Sequence, residues 1–203
     1  AASDVYKRQV FALLALDSRN YLSGSAVRRQ CVDAILAAEL SGGGWAMNGA
    51  AADPDVTAMV LQALAAYRGE AAVAEAVSRG IDTLSAMQNG DGGFTSWGSA
   101  NAESVAQVIV ACTALGIDPD TDSRFVKDGG SAVDALLTFY DAGAAAFRHK
   151  ASGGVDSLAT EQAVYALVAV SRFQRGQSGL YQETDAPTVE TPAEPDEPAA
   201  RVL

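Results

Sequence analysis

Two closely spaced aspartates, Asp53 and Asp55, are the side chains of this sequence best suited to acid–base chemistry. They follow a Gly-Gly-Trp loop at residues 43–45 and lead into an alanine-rich segment. A carboxyl group works as a general acid when its neighbours tune its pKa, so the pair is a candidate catalytic site. We favour a structural alternative, in which Asp53 caps a helix that begins at Pro54. Asp55 would then lie in the first turn, where the helix dipole stabilises an anion by about 0.3–1 kcal/mol.

Acidic residues recur in a repeated pattern. A second loop, Gly-Gly-Phe at residues 92–94, precedes Glu103, and a degenerate third copy around Phe147 precedes Glu161. The loop aromatics recur about every 50 residues, a period typical of repeat arrays. We expect Glu103 and Glu161 to occupy the same first-turn position as Asp55, where the dipole argument applies equally.

Aromatic and amide side chains complete a predicted ligand-binding set. The repeat aromatics are expected to pack between neighbouring helix pairs. Trp97 lies beyond the aromatic residue of its own repeat, so packing between helix pairs and contact with a ligand are equally well supported for it. The predicted ligand-binding residues are Trp97, Asp55, Glu103, Gln107, Glu161, Trp45 and Phe94.

No metal or cofactor site is predicted. Cys31 and Cys112 lie inside helical patterns without metal-ligand spacing, and we expect both to be buried as small apolar residues. The single histidine, His149, lies in a polar stretch and is expected to be solvated. A tetrahedral zinc site needs at least three protein ligands, which this pattern does not supply.

Charge and hydropathy exclude two partner classes. The chain carries 14 basic and 25 acidic residues, a formal net charge of −11, with no basic stripe for nucleic acid. No apolar run approaches the roughly 20 residues that a membrane-spanning helix needs.

The apolar periodicity predicts an all-α protein. The predicted helices cover residues 10–16, 26–40 after a Ser25 cap, 53–67, 71–88, 101–115, 131–140 with Ser131 and Asp134 forming a near capping box, and about 157–173. No segment shows strand-like alternation. Helices that follow the loops (residues 55–67, 103–115 and 159–170) are apolar nearly all round, whereas those that precede them are amphipathic. Alternating inner and outer helices predict an α/α toroid, with an open superhelical solenoid as the competing layout.

The two ends of the chain differ from the rest. Residues 1–9 match, codon by codon, a transposon-end adapter used to prepare sequencing libraries, so we exclude them from the fold as an artefact. Residues 183–203 are acidic and proline-rich and are interpreted as an extended linker, after which a further domain is expected. Residues 10–182 would form one domain of a metagenomic fragment, an incomplete arc with an uncovered apolar seam near Val10.

The Gly-Gly-aromatic loops and the segment at residues 53–59 resemble the prenyltransferase/squalene-cyclase repeat of the terpenoid-cyclase α/α toroid superfamily. Residues 101–107, 124–129 and 159–167 are similar to bacterial cell-surface proteins that carry this repeat. The likeness covers essentially residues 10–182. It implies a ring of about six helical hairpins, of which this chain supplies roughly three and a half.

The chemistry of these relatives is only partly represented. Cyclases of this superfamily protonate an alkene with the middle aspartate of an Asp-x-Asp-Asp-Thr motif. Asp53, Asp55 and Thr57 match that motif, but Val56 stands in place of the third aspartate. The zinc ligands of the prenyltransferases and the Cys-Gly-Glu-Gln segment of the thioester relatives have no counterpart here.

We therefore expect a non-catalytic ligand-binding or display module of a secreted, cell-wall-associated bacterial protein. The resemblance to the toroid of vitamin B12 carriers suggests a corrinoid or another amphipathic small molecule as ligand. Two alternatives remain: a class II-type terpene cyclase with Asp55 as general acid beside Asp53, and a structural spacer.

Overall fold

The computed structural model describes residues 3–182, and these form the predicted all-α fold. Its helices are α1 (Ser3–Ser18), α2 (Ala26–Ala37), α3 (Pro54–Leu64) with a 3-10 turn at Ala65–Tyr67, α4 (Ala71–Met87), α5 (Ala102–Ala114), α6 (Ala132–Leu137) and α7 (Ser157–Gln174). The first helix begins earlier than predicted, at Ser3, and so includes part of the segment 1–9 that was excluded from the fold; Tyr6 of that segment is buried in the core. The predicted ends of α2 and α6 were three residues too late. Leu40 already bonds back to Gly44 within the loop, and Tyr140 begins a strand.

Short hairpins interrupt the helical pattern. The strand pairs, each antiparallel and two residues long, are β1 (Thr95–Ser96) with β2 (Ser99–Ala100), β3 (Val126–Lys127) with β4 (Gly130–Ser131), and β5 (Tyr140–Asp141) with β6 (Ala146–Phe147). The sequence did not predict them because two residues are too few to show an alternating pattern.

The helices pack in two layers. Helices α1, α3, α5 and α7 pack side by side in that order, while α2, α4 and α6 pack against α1, α3 and α5 from outside. The predicted alternation of inner and outer helices is therefore confirmed. Helix α5 lies at the centre, and every one of its residues except Glu103 and Ala114 is buried.

Side-chain caps start the inner helices. Asp53 Oδ1 accepts hydrogen bonds from the backbone N–H groups of Asp55 and Val56, at 3.0 and 3.1 Å, and so caps α3 as predicted. Asn101 caps α5 by accepting from the Ser104 N–H at 2.8 Å. The predicted capping box between Ser131 and Asp134 is also formed.

The third repeat corrects one prediction. Its helix, α7, is capped by Asp156, which accepts from the Ala159 N–H at 2.9 Å. Glu161 is therefore exposed in the second turn, and α7 has no acidic residue in its first turn. The position that matches Asp55 and Glu103, two residues after the cap, is Leu158.

The loop aromatics are core residues. Trp45 and Phe94 are fully buried and Phe147 is nearly so. The Trp45 indole donates to the Ile35 carbonyl at 2.8 Å, and its backbone N–H donates to the Thr57 hydroxyl at 3.0 Å. These aromatic residues pack each loop against the neighbouring helices, as predicted for residues that fill the space between helix pairs.

Helix α7 departs from the prediction that it is covered all round. Leu158, Val164 and Val168 are 54%, 49% and 43% exposed, because among the described helices α7 packs against α5 alone in the inner layer. Cys31 and Cys112 are buried and unbonded as predicted, and burial raises the pKa of the Cys112 thiol well above its ordinary value.

Between residues 3 and 182, no helix combines the length and apolarity needed to cross a membrane.

Candidate functional site

A cavity of about 350 Å³ lies at the N-terminal ends of α3, α5 and α7, beside the β1–β2 hairpin. Four of the predicted binding residues line it together: Asp55, Trp97, Glu103 and Gln107. They are contributed by two helices and a hairpin, so the cavity exists only once the repeats have packed against one another.

Asp55 is the least satisfied polar group of the cavity. Its Oδ1 atom is buried without a hydrogen-bond partner, and so is the hydroxyl of nearby Ser104. Burial raises the pKa of Asp55 to about 6, and the charges of Asp53 and Glu103 act in the same direction. The hydroxyl of Ser104 lowers this pKa in part, although it makes no well-formed hydrogen bond.

Asp53 does not share a site with Asp55 as a catalytic partner would. One of its carboxylate oxygens caps α3, and the other accepts from the Ser96 hydroxyl at 2.7 Å. Val56, which stands where cyclases carry a third aspartate, is 3% exposed and belongs to the hydrophobic core. The two remaining aspartates thus have different roles, although the charge of Asp53 contributes to the raised pKa of Asp55.

Glu103 pairs with His149, whose side chain is exposed as predicted. His149 Nδ1 lies 2.8 and 3.0 Å from the two carboxylate oxygens of Glu103. The backbone carbonyl of His149 also accepts from the Ala102 N–H at 3.1 Å, which holds this segment against α5. The sequence offered no signal for the pair, since 46 residues separate its members.

Within the described part of the chain, no three His, Cys, Asp or Glu side chains form a metal-binding group.

Gln107 belongs to an amide ladder that crosses the inner layer. The Gln62 amide of α3 donates to the side-chain and backbone oxygens of Gln107, at 3.0 and 3.1 Å. The Gln107 amide then donates to Gln162 Oε1 of α7 at 3.1 Å and to the Tyr165 hydroxyl. This ladder fixes the relative positions of the three helices beneath the cavity floor.

Trp97 occupies an unusual backbone position. Trp97 and Gly98 form the two-residue loop of the β1–β2 hairpin, and both have positive φ angles, 51° and 73°. Such a loop normally carries Asn, Asp or Gly at its first position, because a positive φ is unfavourable for a bulky residue. The indole is nevertheless 76% exposed at the cavity wall.

Three predicted binding residues lie elsewhere. Trp45 and Phe94 are fully buried in the core, and neither lines the cavity. Glu161 is displaced by the register of α7, so it does not join Asp55 and Glu103. Four of the seven predicted residues therefore line the cavity, and three do not.

An apolar cavity of about 230 Å³ adjoins the polar one. Both are lined by Met59, and the apolar cavity is otherwise formed mainly by Val10, Phe11, Met47 and Val56. Polar and apolar binding surfaces therefore meet at Met59.

Comparison with known proteins gives one match. The family model described as the squalene-hopene cyclase C-terminal domain matches residues 10–166, which include every residue that lines the polar cavity. No curated protein and no solved structure matches the chain significantly.

Proposed function

This chain belongs to the squalene-hopene cyclase C-terminal domain family, and we propose that it acts as a non-catalytic module that binds a small amphipathic molecule. The observation that carries the proposal is the composition of the polar cavity. It combines the partly buried carboxylate of Asp55 with the exposed indole of Trp97. A concave site with few converging polar groups and an aromatic wall is typical of small-molecule binding.

Alkene protonation is less well supported by the same residues. An acid that protonates an alkene must be stronger than an ordinary carboxylic acid, whereas the pKa of Asp55 is raised to about 6. Its neighbours do not help, because Asp53 is engaged as a cap and Val56 carries no carboxylate. A cavity with a largely exposed Trp97 in its wall also admits water, which would quench a carbocation.

Cavity size favours a compact ligand. About 350 Å³ lies at the lower end of the 300–1,000 Å³ range typical of ligand sites. A corrinoid macrocycle exceeds this space and would have to bind through one edge or side chain. A secreted, cell-wall-associated setting, in which the module displays a further domain, accompanies the proposal and follows from the sequence resemblance alone.

The binding function is tested by ligand-observed NMR with cyanocobalamin and with neutral, cationic and anionic amphipathic fragments. We expect at least one fragment to bind, and Trp97→Ala to weaken its binding by about tenfold with little change in melting temperature. Tyr21→Ala is the matched control, because Tyr21 is also exposed but does not line the cavity.

Two outcomes would replace the proposal. Cyclisation of squalene or geranylgeranyl diphosphate that disappears in Asp55→Asn, with the fold retained, would establish the cyclase alternative. Failure of every fragment and of cyanocobalamin to bind would leave the structural spacer.

A further inference from the structure

We propose that the ligand of the polar cavity is an organic cation, an ammonium group on a small apolar body, with the Trp97 indole as its aromatic wall and the Asp55 carboxylate as its counter-ion. This inference rests on the binding function proposed above and specifies the chemical class of its ligand.

The first support is the unfavourable conformation and exposure of Trp97. A bulky residue at the first position of a positive-φ hairpin loop is strained, and exposing an indole to water is unfavourable. Strained residues of this kind cluster at ligand sites. The face of an indole is the side-chain surface that attracts cations most strongly.

The second support is the poorly compensated carboxylate of Asp55. Its Oδ1 atom makes no well-formed hydrogen bond, although buried polar atoms nearly always do. The hydroxyls of Ser104 and Ser96 act on this carboxylate, but burial still outweighs them. Asp55 lines the cavity, so a cation bound there would lie close to this carboxylate and compensate its charge. Glu103 places a second carboxylate in the same wall, where it is paired with His149.

The remaining wall suits an apolar body. Met59 lines the cavity from α3, and Leu158 of α7 stands where α3 and α5 carry their acids. Two basic residues, His149 and Lys150, also line the cavity, and His149 is paired with Glu103. A cation is therefore favoured toward Asp55 and Trp97, with its apolar part toward Leu158.

The test compares choline with 3,3-dimethylbutan-1-ol, its neutral isostere, in which carbon replaces the charged nitrogen. The chain has only two tryptophans, so ¹⁵N spectra contain two indole N–H signals. The Trp97 signal should shift saturably with choline. The Trp45 signal should stay unchanged, because that indole is buried and bonded to Ile35. We expect the alcohol to bind at least tenfold more weakly than choline.

Variants separate the two contacts. Trp97→Phe should keep part of the choline affinity, whereas Trp97→Leu should lose about tenfold, because only the first retains an aromatic face. Asp55→Asn should weaken choline binding by a similar factor and leave binding of the alcohol unchanged.

Other outcomes overturn the inference in distinguishable ways. Equal, Trp97-dependent binding of choline and the alcohol would contradict the cation while leaving the binding function in place, and so would preference for an anionic fragment. If none of the cationic, neutral or anionic probes moves the Trp97 signal, both the inference and the proposed function fail.

Discussion

At the scale of single residues, the balance of forces on Asp55 differs from the one that its sequence position suggests. First-turn placement predicts a stabilised anion, worth about 0.3–1 kcal/mol. In the folded protein, burial and the charges of Asp53 and Glu103 outweigh that term and raise the pKa to about 6. The ionised side chain therefore opposes folding near neutral pH, which is typical of residues kept for function rather than stability.

The stability of Asp55→Asn tests this balance. Because the pKa is raised above its ordinary value, the folded state binds the proton more tightly, and the Asp55 contribution to stability falls as pH rises from about 4 to about 6. A shift of this size corresponds to on the order of 2 kcal/mol. We therefore expect Asp55→Asn to become more stable relative to the natural chain by about that amount between pH 4 and pH 7.5, measured by urea denaturation.

The matched control for this experiment is Asp128→Asn, since Asp128 is exposed. Its stability difference from the natural chain should stay nearly constant over the same pH range. If the Asp55 and Asp128 variants showed the same pH profile, burial would not control the Asp55 carboxyl, and the first-turn dipole interpretation would be restored.

At the scale of elements, the Gly-aromatic loops pack closely against neighbouring helices and hairpins. The second loop shows this most clearly at Gly92, which has a φ of +85°. A Cβ at this position would lie 2.3 Å from the Ser131 carbonyl oxygen and 2.7 Å from that of Gly130. The loop therefore fits directly against the backbone of the β3–β4 hairpin. A clash with a Cβ at residue 92 could not be relieved by rotating a side chain, because the atoms nearest to it belong to the backbone.

Paired alanine substitutions test this close approach. Gly92→Ala should lower the free energy of unfolding by about 2–4 kcal/mol, since a positive φ and a backbone clash add together. Gly90→Ala, two residues earlier, meets no atom within 4 Å and should change stability by at most about 0.5 kcal/mol. Chemical denaturation of both variants is the measurement. Equal effects would mean that the hairpin does not pack on this loop in solution.

At the scale of the whole molecule, the two ends of the helical array expose apolar residues. Phe11 of α1 is 59% exposed, and Val164 and Val168 form an exposed apolar face on α7. Their neighbours in the inner layer, α3 and α5, have both sides covered. Exposed apolar faces of this kind promote association.

We expect this chain to self-associate or to bind a hydrophobic dye, and the double variant Val164→Lys with Val168→Lys to reduce either signal by at least half. Stability should change by at most about 0.5 kcal/mol, because both valines are nearly half-exposed. Sedimentation and dye fluorescence are the measurements, and Glu161→Lys on the same helix controls for added charge alone. A natural chain that is monomeric and dye-silent would contradict the expectation.

The sequence by itself determined what depends on neighbouring residues. Apolar periodicity located the helices, and the caps at Asp53, Asn101 and Ser131 were correct because capping involves residues only two or three positions apart. The order of inner and outer helices also followed, since an all-apolar helix must be covered on both sides. Two local predictions were wrong. Helix α7 begins at Ser157 as predicted, but its cap is Asp156, so Glu161 lies in the second turn and not in the first. Ser25 stands at the N-cap position of α2 but makes no side-chain capping hydrogen bond.

Only the tertiary structure decided the chemistry of the cavity. The pairing of His149 with Glu103, the amide ladder through Gln107 and the missing partner of Asp55 all depend on side chains from different repeats. The pKa of Asp55 likewise depends on how much water the packed helices exclude. Local propensity encodes none of these distances, because burial and long-range contact arise only when the repeats close on one another.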